Sequence, residues 1–93
     1  MKTVKYYEPP SAADMAALKD KLGLTGNQMA RLAGVADGNQ WRKYTGGVAP
    51  RRASLQMLFF IAAQLEFDEL QLENVYSRMR EIGCELEISD DSK

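Results

Sequence analysis

Apolar residues recur at helical spacing in five stretches of this chain, and each stretch is bracketed by residues that start and stop helices. Met15, Leu18 and Leu22 fall at i, i+3 and i+7. With Ser11 as a cap, Asp14 three residues on and Gly23 as a stop, they predict a first helix over 12–22. Thr25 and Gln28 have capping-box spacing and open a second helix over 26–33, with Met29, Leu32 and Ala33 inward and Gly34 closing it. Asp37 and Gln40 repeat that spacing and predict a third helix over 38–45, with Trp41 and Tyr44 on one face and Gly46 and Gly47 ending it. Pro50 and Ser54 bracket the next start. The fourth helix, 52–65, is apolar at Leu55, Leu58, Phe59, Ala62 and Leu65, and also at Met57 and Ile61. So wide a stripe predicts the central, most buried helix. Asp68 caps a fifth helix over 69–82, with Leu72, Val75, Tyr76, Met79 and Ile82 inward and Gly83 as its stop.

The ends read differently. Thr3 to Tyr7 favour an extended backbone, and Pro9 and Pro10 interrupt any regular element. Residues 84–88 alternate strictly between apolar and polar, the pattern of a short strand. Lys2 and Lys5 in one segment complement Glu85 and Glu87 in the other, so the two could pair. The expected fold is all-α, five helices with short strands at the termini. It divides into an arm (1–10), a helical domain (11–83) and an acidic tail (84–93) whose last residues, 89–93, are expected to be disordered.

Composition narrows the function. Ninety-three residues suffice for one core, and 45% apolar with 27% charged residues is ordinary for a soluble fold. The longest solidly apolar stretch, 57–63, is far short of the roughly 20 residues a membrane span needs. No signal-peptide pattern opens the chain, so a cytoplasmic protein without membrane contact is expected. Cys84 is the single cysteine and there is no histidine, which removes the usual zinc sets and the Cys–His and Ser–His catalytic pairs. No enzyme activity and no cofactor are expected. The net charge of −1 hides an asymmetry. Residues 1–52 hold nine Lys/Arg against four acids, net +5, and residues 53–93 hold three against nine, net −6. The pattern suggests a basic working face and an acidic opposite end.

The informative constellation is a pair of short helices, each with its own cap, joined by a tight turn. Ala30 is small enough for the third helix to cross closely, Gly34 permits the reversal of direction, Val35 plugs the corner and Trp41 fills the core beneath. This stretch resembles the Xre/lambda-repressor-like (Cro/C1-type) helix-turn-helix family at Leu24, Thr25, Met29, Ala30, Gly34, Val35, Trp41, Tyr44 and Gly47. The resemblance covers about residues 12–66. Two features depart from the family pattern: the interval from Val35 to Trp41 is one residue longer, and Gly26 stands where Gln is usual.

The resemblance implies a DNA-binding transcriptional regulator, with a repressor as the first expectation, whose third helix lies in the major groove of double-stranded DNA. Asn39, Gln40 and Lys43 are then the base-reading candidates, since Asn and Gln pair with adenine and Lys or Arg with guanine. Asn27, Arg42, Thr45, Arg51, Arg52 and Ser54 flank them as phosphate-binding candidates. Family members of this size often dimerise, and part of Leu70, Leu72, Tyr76 and Met79 could be left over for such a contact. Two other readings stand beside this one. The first is a protein-interaction module that keeps the fold without reading DNA. The second is an antitoxin-type autorepressor that also binds a protein partner.

Overall fold

The computed structural model describes residues 1–89, so residues 90–93 of the tail, with most of the stretch expected to be disordered, lie outside the described residues. The described residues form five helices and no strand: α1 (Ala12–Leu22), α2 (Gly26–Ala33), α3 (Gly38–Arg42), α4 (Leu55–Glu66) and α5 (Glu69–Ile82). The terminal strands expected from 3–7 and 84–88 do not form. Both segments lack regular structure and are mostly exposed, and the arm is tied to the body by a side-chain bond instead: the Tyr7 hydroxyl donates to the Ala53 carbonyl at 2.7 Å.

Three helices start and stop as their local chemistry dictates. Ser11, Thr25 and Asp68 each accept from the backbone three residues on, and Asp14, Gln28 and Gln71 return the bond to the cap's own amide. Gly23, Gly34 and Gly83 follow the last turns. The other two helices are shorter than their sequence patterns. α3 ends at Arg42 rather than at residue 45. There the backbone tightens to i→i+3 bonds, from Lys43 N to Gln40 O (3.2 Å), Tyr44 N to Trp41 O (2.9 Å) and Thr45 N to Arg42 O (3.1 Å). α4 starts at Leu55 rather than at residue 52, because the Ser54 hydroxyl caps it by accepting from Met57 N at 3.0 Å.

The core joins Met15 of α1, Met29, Ala30 and Ala33 of α2, Trp41 of α3, Ala53, and Ile61 of α4. Met29, Trp41 and Ile61 are its largest fully buried side chains, each worth about 1.5–3 kcal/mol of burial. α2 is thus the central helix, and the expectation that α4 would be the most buried is not met. α4 faces α2 with Ile61 and the half-buried Met57 and Gln64, whose amide donates to the Leu32 carbonyl at 2.7 Å. Leu55 and Leu58 are half-buried, whereas Phe59 (67% exposed), Ala62 and Leu65 turn to solvent. α5, unlike α4, buries no residue fully: Leu72 and Tyr76 are half-buried, while Val75, Met79 and Ile82 are exposed. No helix among the described residues is long and apolar enough to cross a membrane.

Candidate nucleic-acid interface

The α2–α3 unit is built from its corner outward. Gly34 ends α2 with φ of +77°, a left-handed conformation that L side chains rarely adopt. Val35 then donates back to the Ala30 carbonyl at 2.9 Å, and its half-buried side chain packs against the core. Asp37 opens α3 by accepting from Gln40 N at 3.1 Å. The first residues of the two helices also touch. Gly38 N donates to Asn27 Oδ1 at 2.8 Å, and a Cβ on Gly38 would come within 3.3 Å of the Gly26 carbonyl carbon. A glycine at Gly38 therefore lets the two helix starts meet backbone to backbone.

Trp41 sets the face that α3 shows to solvent. It is fully buried, and its Nε1 has no hydrogen-bond partner among the described residues. Successive helical residues are turned by about 100°, so Asn39, Arg42 and Lys43 are exposed and Gln40 is half-buried at the edge of that face. The Arg42 guanidinium donates to Asn39 Oδ1. Asn27, Asp37, Gly38, Asn39 and Arg42 line one open, polar concavity at the start of α3.

A second group gathers at the other end of α3. Arg51 N donates to the Lys43 carbonyl at 2.7 Å, which brings the non-helical 51–54 segment alongside. Arg51 and Arg52 are exposed there, and the buried Ala53 anchors the segment in the core. The half-buried Thr45 donates its hydroxyl hydrogen to the Arg42 carbonyl at 3.2 Å. Ser54 is exposed, with its hydroxyl oxygen engaged in capping α4. Of the residues singled out from sequence, Asn27, Asn39 and Arg42 share the concavity and Lys43 and Arg51 meet through the backbone bond. Arg52 and Ser54 continue the segment without a bond to α3 among the described residues.

Two contributors were not read from sequence. Gly26 and Gly38 meet across the unit, a role that a glycine at the first position of both short helices could have signalled. The Tyr7–Ala53 bond, which fixes the arm against the segment carrying Arg51 and Arg52, spans 46 residues and leaves no local trace.

A scan of protein-family models matches none, and searches of curated proteins and of solved structures return no match. The site's own chemistry is therefore the evidence for what it does. It offers side-chain amides, a guanidinium and an ammonium on one short helix, with two further guanidinium groups beside it. Such groups suit the donor and acceptor edges of bases and the oxygens of phosphates.

Proposed function

We propose that this protein is a sequence-specific DNA-binding transcriptional regulator, a repressor that works in the cytoplasm by occupying an operator, with α3 in the major groove. One observation carries the reading. The buried Trp41 pins α3 to the body while Asn39, Arg42 and Lys43 face solvent beside the exposed Arg51 and Arg52. Asn39, Gln40 and Lys43 read base edges. Asn27, Arg42, Thr45, Arg51, Arg52 and Ser54 hold the backbone on either side. The resemblance of Leu24, Thr25, Ala30, Gly34 and Val35 to the Xre/lambda-repressor-like pattern supports the same assignment. As a dimer, the protein reads two half-sites about 10–10.5 bp apart.

The test is fluorescence anisotropy with a labelled duplex of mixed sequence over a salt series. Affinity that falls steeply as salt rises reports phosphate contacts and is the expected result. Absence of salt-dependent binding by the folded protein favours the second reading, a protein-interaction module. That reading is motivated by the net −6 of residues 53–93 and the open apolar surface on α4 and α5.

A further inference from the structure

Both side-chain amides in the concavity at the start of α3 have their oxygen tied inward. Asn27 Oδ1 accepts from the Gly38 amide at 2.8 Å, and Asn39 Oδ1 accepts from the Arg42 guanidinium. A guanidinium carries five N–H donors and no acceptor, so only the oxygen of Asn39 can face it. The orientation of each amide is thereby fixed, and its NH2 is the group left for a ligand. Asn39 and Arg42 lie at i and i+3, on one face of the helix, and both are exposed. The same guanidinium reaches toward the start of α2, where its Nη1 would lie 3.7 Å from a Cβ added at Gly26. Asp37 also lines the concavity. Its Oδ1 caps Gln40 N at 3.1 Å, and its carboxylate keeps further acceptor capacity. We infer that Arg42 sets the base preference of this concavity: by holding the oxygen of Asn39 it makes that amide a donor, and the pair selects the guanine of a G·C base pair over adenine.

This preference rests on the DNA-reading role proposed above and narrows the adenine pairing expected of a free asparagine. The major-groove edges of the bases carry the distinction. Guanine presents N7 and O6, two adjacent acceptors, whereas adenine presents the N7 acceptor beside the N6 amino donor. A free asparagine meets adenine with both ends of its amide, donating to N7 and accepting from N6. Here the accepting end is engaged by a cation, and the group beside it is a second donor. Adenine would set its amino group against the guanidinium, donor against donor. Guanine gives the Asn39 NH2 and the Arg42 guanidinium one acceptor each. Across the base pair, cytosine offers its N4 amino hydrogens, and Asp37 supplies a carboxylate to accept them. Asn27 also offers only its NH2, which suits the phosphate contact already proposed for it.

Arg42→Met keeps an unbranched stem and removes every donor, so it releases the oxygen of Asn39. Binding sites are selected from a random duplex pool with the parent, with Arg42→Met and with Asn39→Ala, and the last variant marks the position that Asn39 reads. At that position the parent should favour guanine over adenine about tenfold, and Arg42→Met should reverse the order. Loss of a phosphate contact or of folded protein lowers affinity for every sequence and leaves the preferred base as it was, so neither produces that exchange. The Arg42–Asn39 bond is also measurable without DNA, by nitrogen relaxation of the side-chain amides. The Asn39 NH2 should be restrained in the parent and mobile on the picosecond–nanosecond scale in Arg42→Met, with the Asn27 NH2 restrained in both. Adenine preferred at the Asn39 position by the parent, guanine retained in Arg42→Met, or an Asn39 amide equally mobile in the two proteins would overturn the inference and leave DNA reading standing. A pool that stays random with folded parent would remove DNA reading, and the base preference with it.

Discussion

The backbone amide of Gly38 donates to Asn27 Oδ1 at 2.8 Å, so the first turn of α2 holds the first turn of α3. The contact is close as well as polar. A Cβ on Gly38 would lie 3.1 Å from that oxygen and 3.3 Å from the Gly26 carbonyl carbon, where the backbone has little room to give. Gly38→Ala is expected to cost about 1–3 kcal/mol through overpacking. A Cβ on Gly26 meets its nearest atom only at 3.6 Å. Gly26→Ala should therefore be neutral or stabilising by up to about 1 kcal/mol, since it reduces the freedom of the unfolded chain. Urea denaturation of the two variants measures the difference, and equal effects would contradict this account of the contact.

Asn27 holds the Gly38 amide and is also a proposed phosphate contact. Asn27→Ala leaves the buried Gly38 amide without its acceptor and should cost about 1–3 kcal/mol. Its effect on DNA affinity has to be separated from that loss, by comparing binding well below the melting temperature with that of Gly38→Ala.

Trp41 is a core residue whose indole N–H has no partner to lose. Trp41→Ala should cost about 3–5 kcal/mol. Trp41→Phe should cost clearly less, because it keeps most of the ring volume and removes an unsatisfied donor. Thermal melts followed by circular dichroism rank the two. A folded Trp41→Ala variant that had lost only DNA binding would make the indole a contact residue instead.

Base reading and phosphate holding predict different losses. Gln40→Ala should cost about 1–3 kcal/mol on the cognate site and relax discrimination at one base pair. Arg52→Ala should weaken all sequences about equally and reduce the salt slope by about 1. Anisotropy titrations on cognate and scrambled duplexes at several salt concentrations separate these. A Gln40→Ala variant unchanged in both affinity and preference would move the reading face elsewhere on α3.

The turn itself can be tested at Gly34, whose φ is +77° and whose added Cβ would meet the Phe60 ring at 3.3 Å. Gly34→Ala should lose about 1–2 kcal/mol from the left-handed backbone alone, measured by urea denaturation.

Much of the fold was legible because its signals are local. Ser11 with Asp14, Thr25 with Gln28, and Asp68 with Gln71 each complete a reciprocal cap within three residues. α1, α2 and α5 accordingly begin and end where the sequence predicts. The misjudged boundaries are those set by more distant partners. Lys43 to Thr45 leave the helical ladder in i→i+3 bonds, and the Lys43 carbonyl is taken by Arg51 N. Residues 51–54 stay out of α4 because Ala53 is drawn into the core and bonded by Tyr7, which leaves Ser54 as the cap. The burial of α4 and α5 was overestimated for a related reason. Periodicity reports which face is apolar and not what covers it, and within one chain Phe59, Val75, Met79 and Ile82 remain exposed. In the candidate site the exposed residues of α3 followed from the position of Trp41, whereas the Gly26–Gly38 contact depends on how the two helices cross.

Sequence reading by α3 is put to the test by selecting binding sites from a random duplex pool at physiological salt and sequencing the bound fraction. The expected result is an enriched motif with two related halves whose centres lie about 10–10.5 bp apart, and loss or shift of preference at one position in each half for Gln40→Ala. A pool that stays random with protein shown to be folded would contradict it.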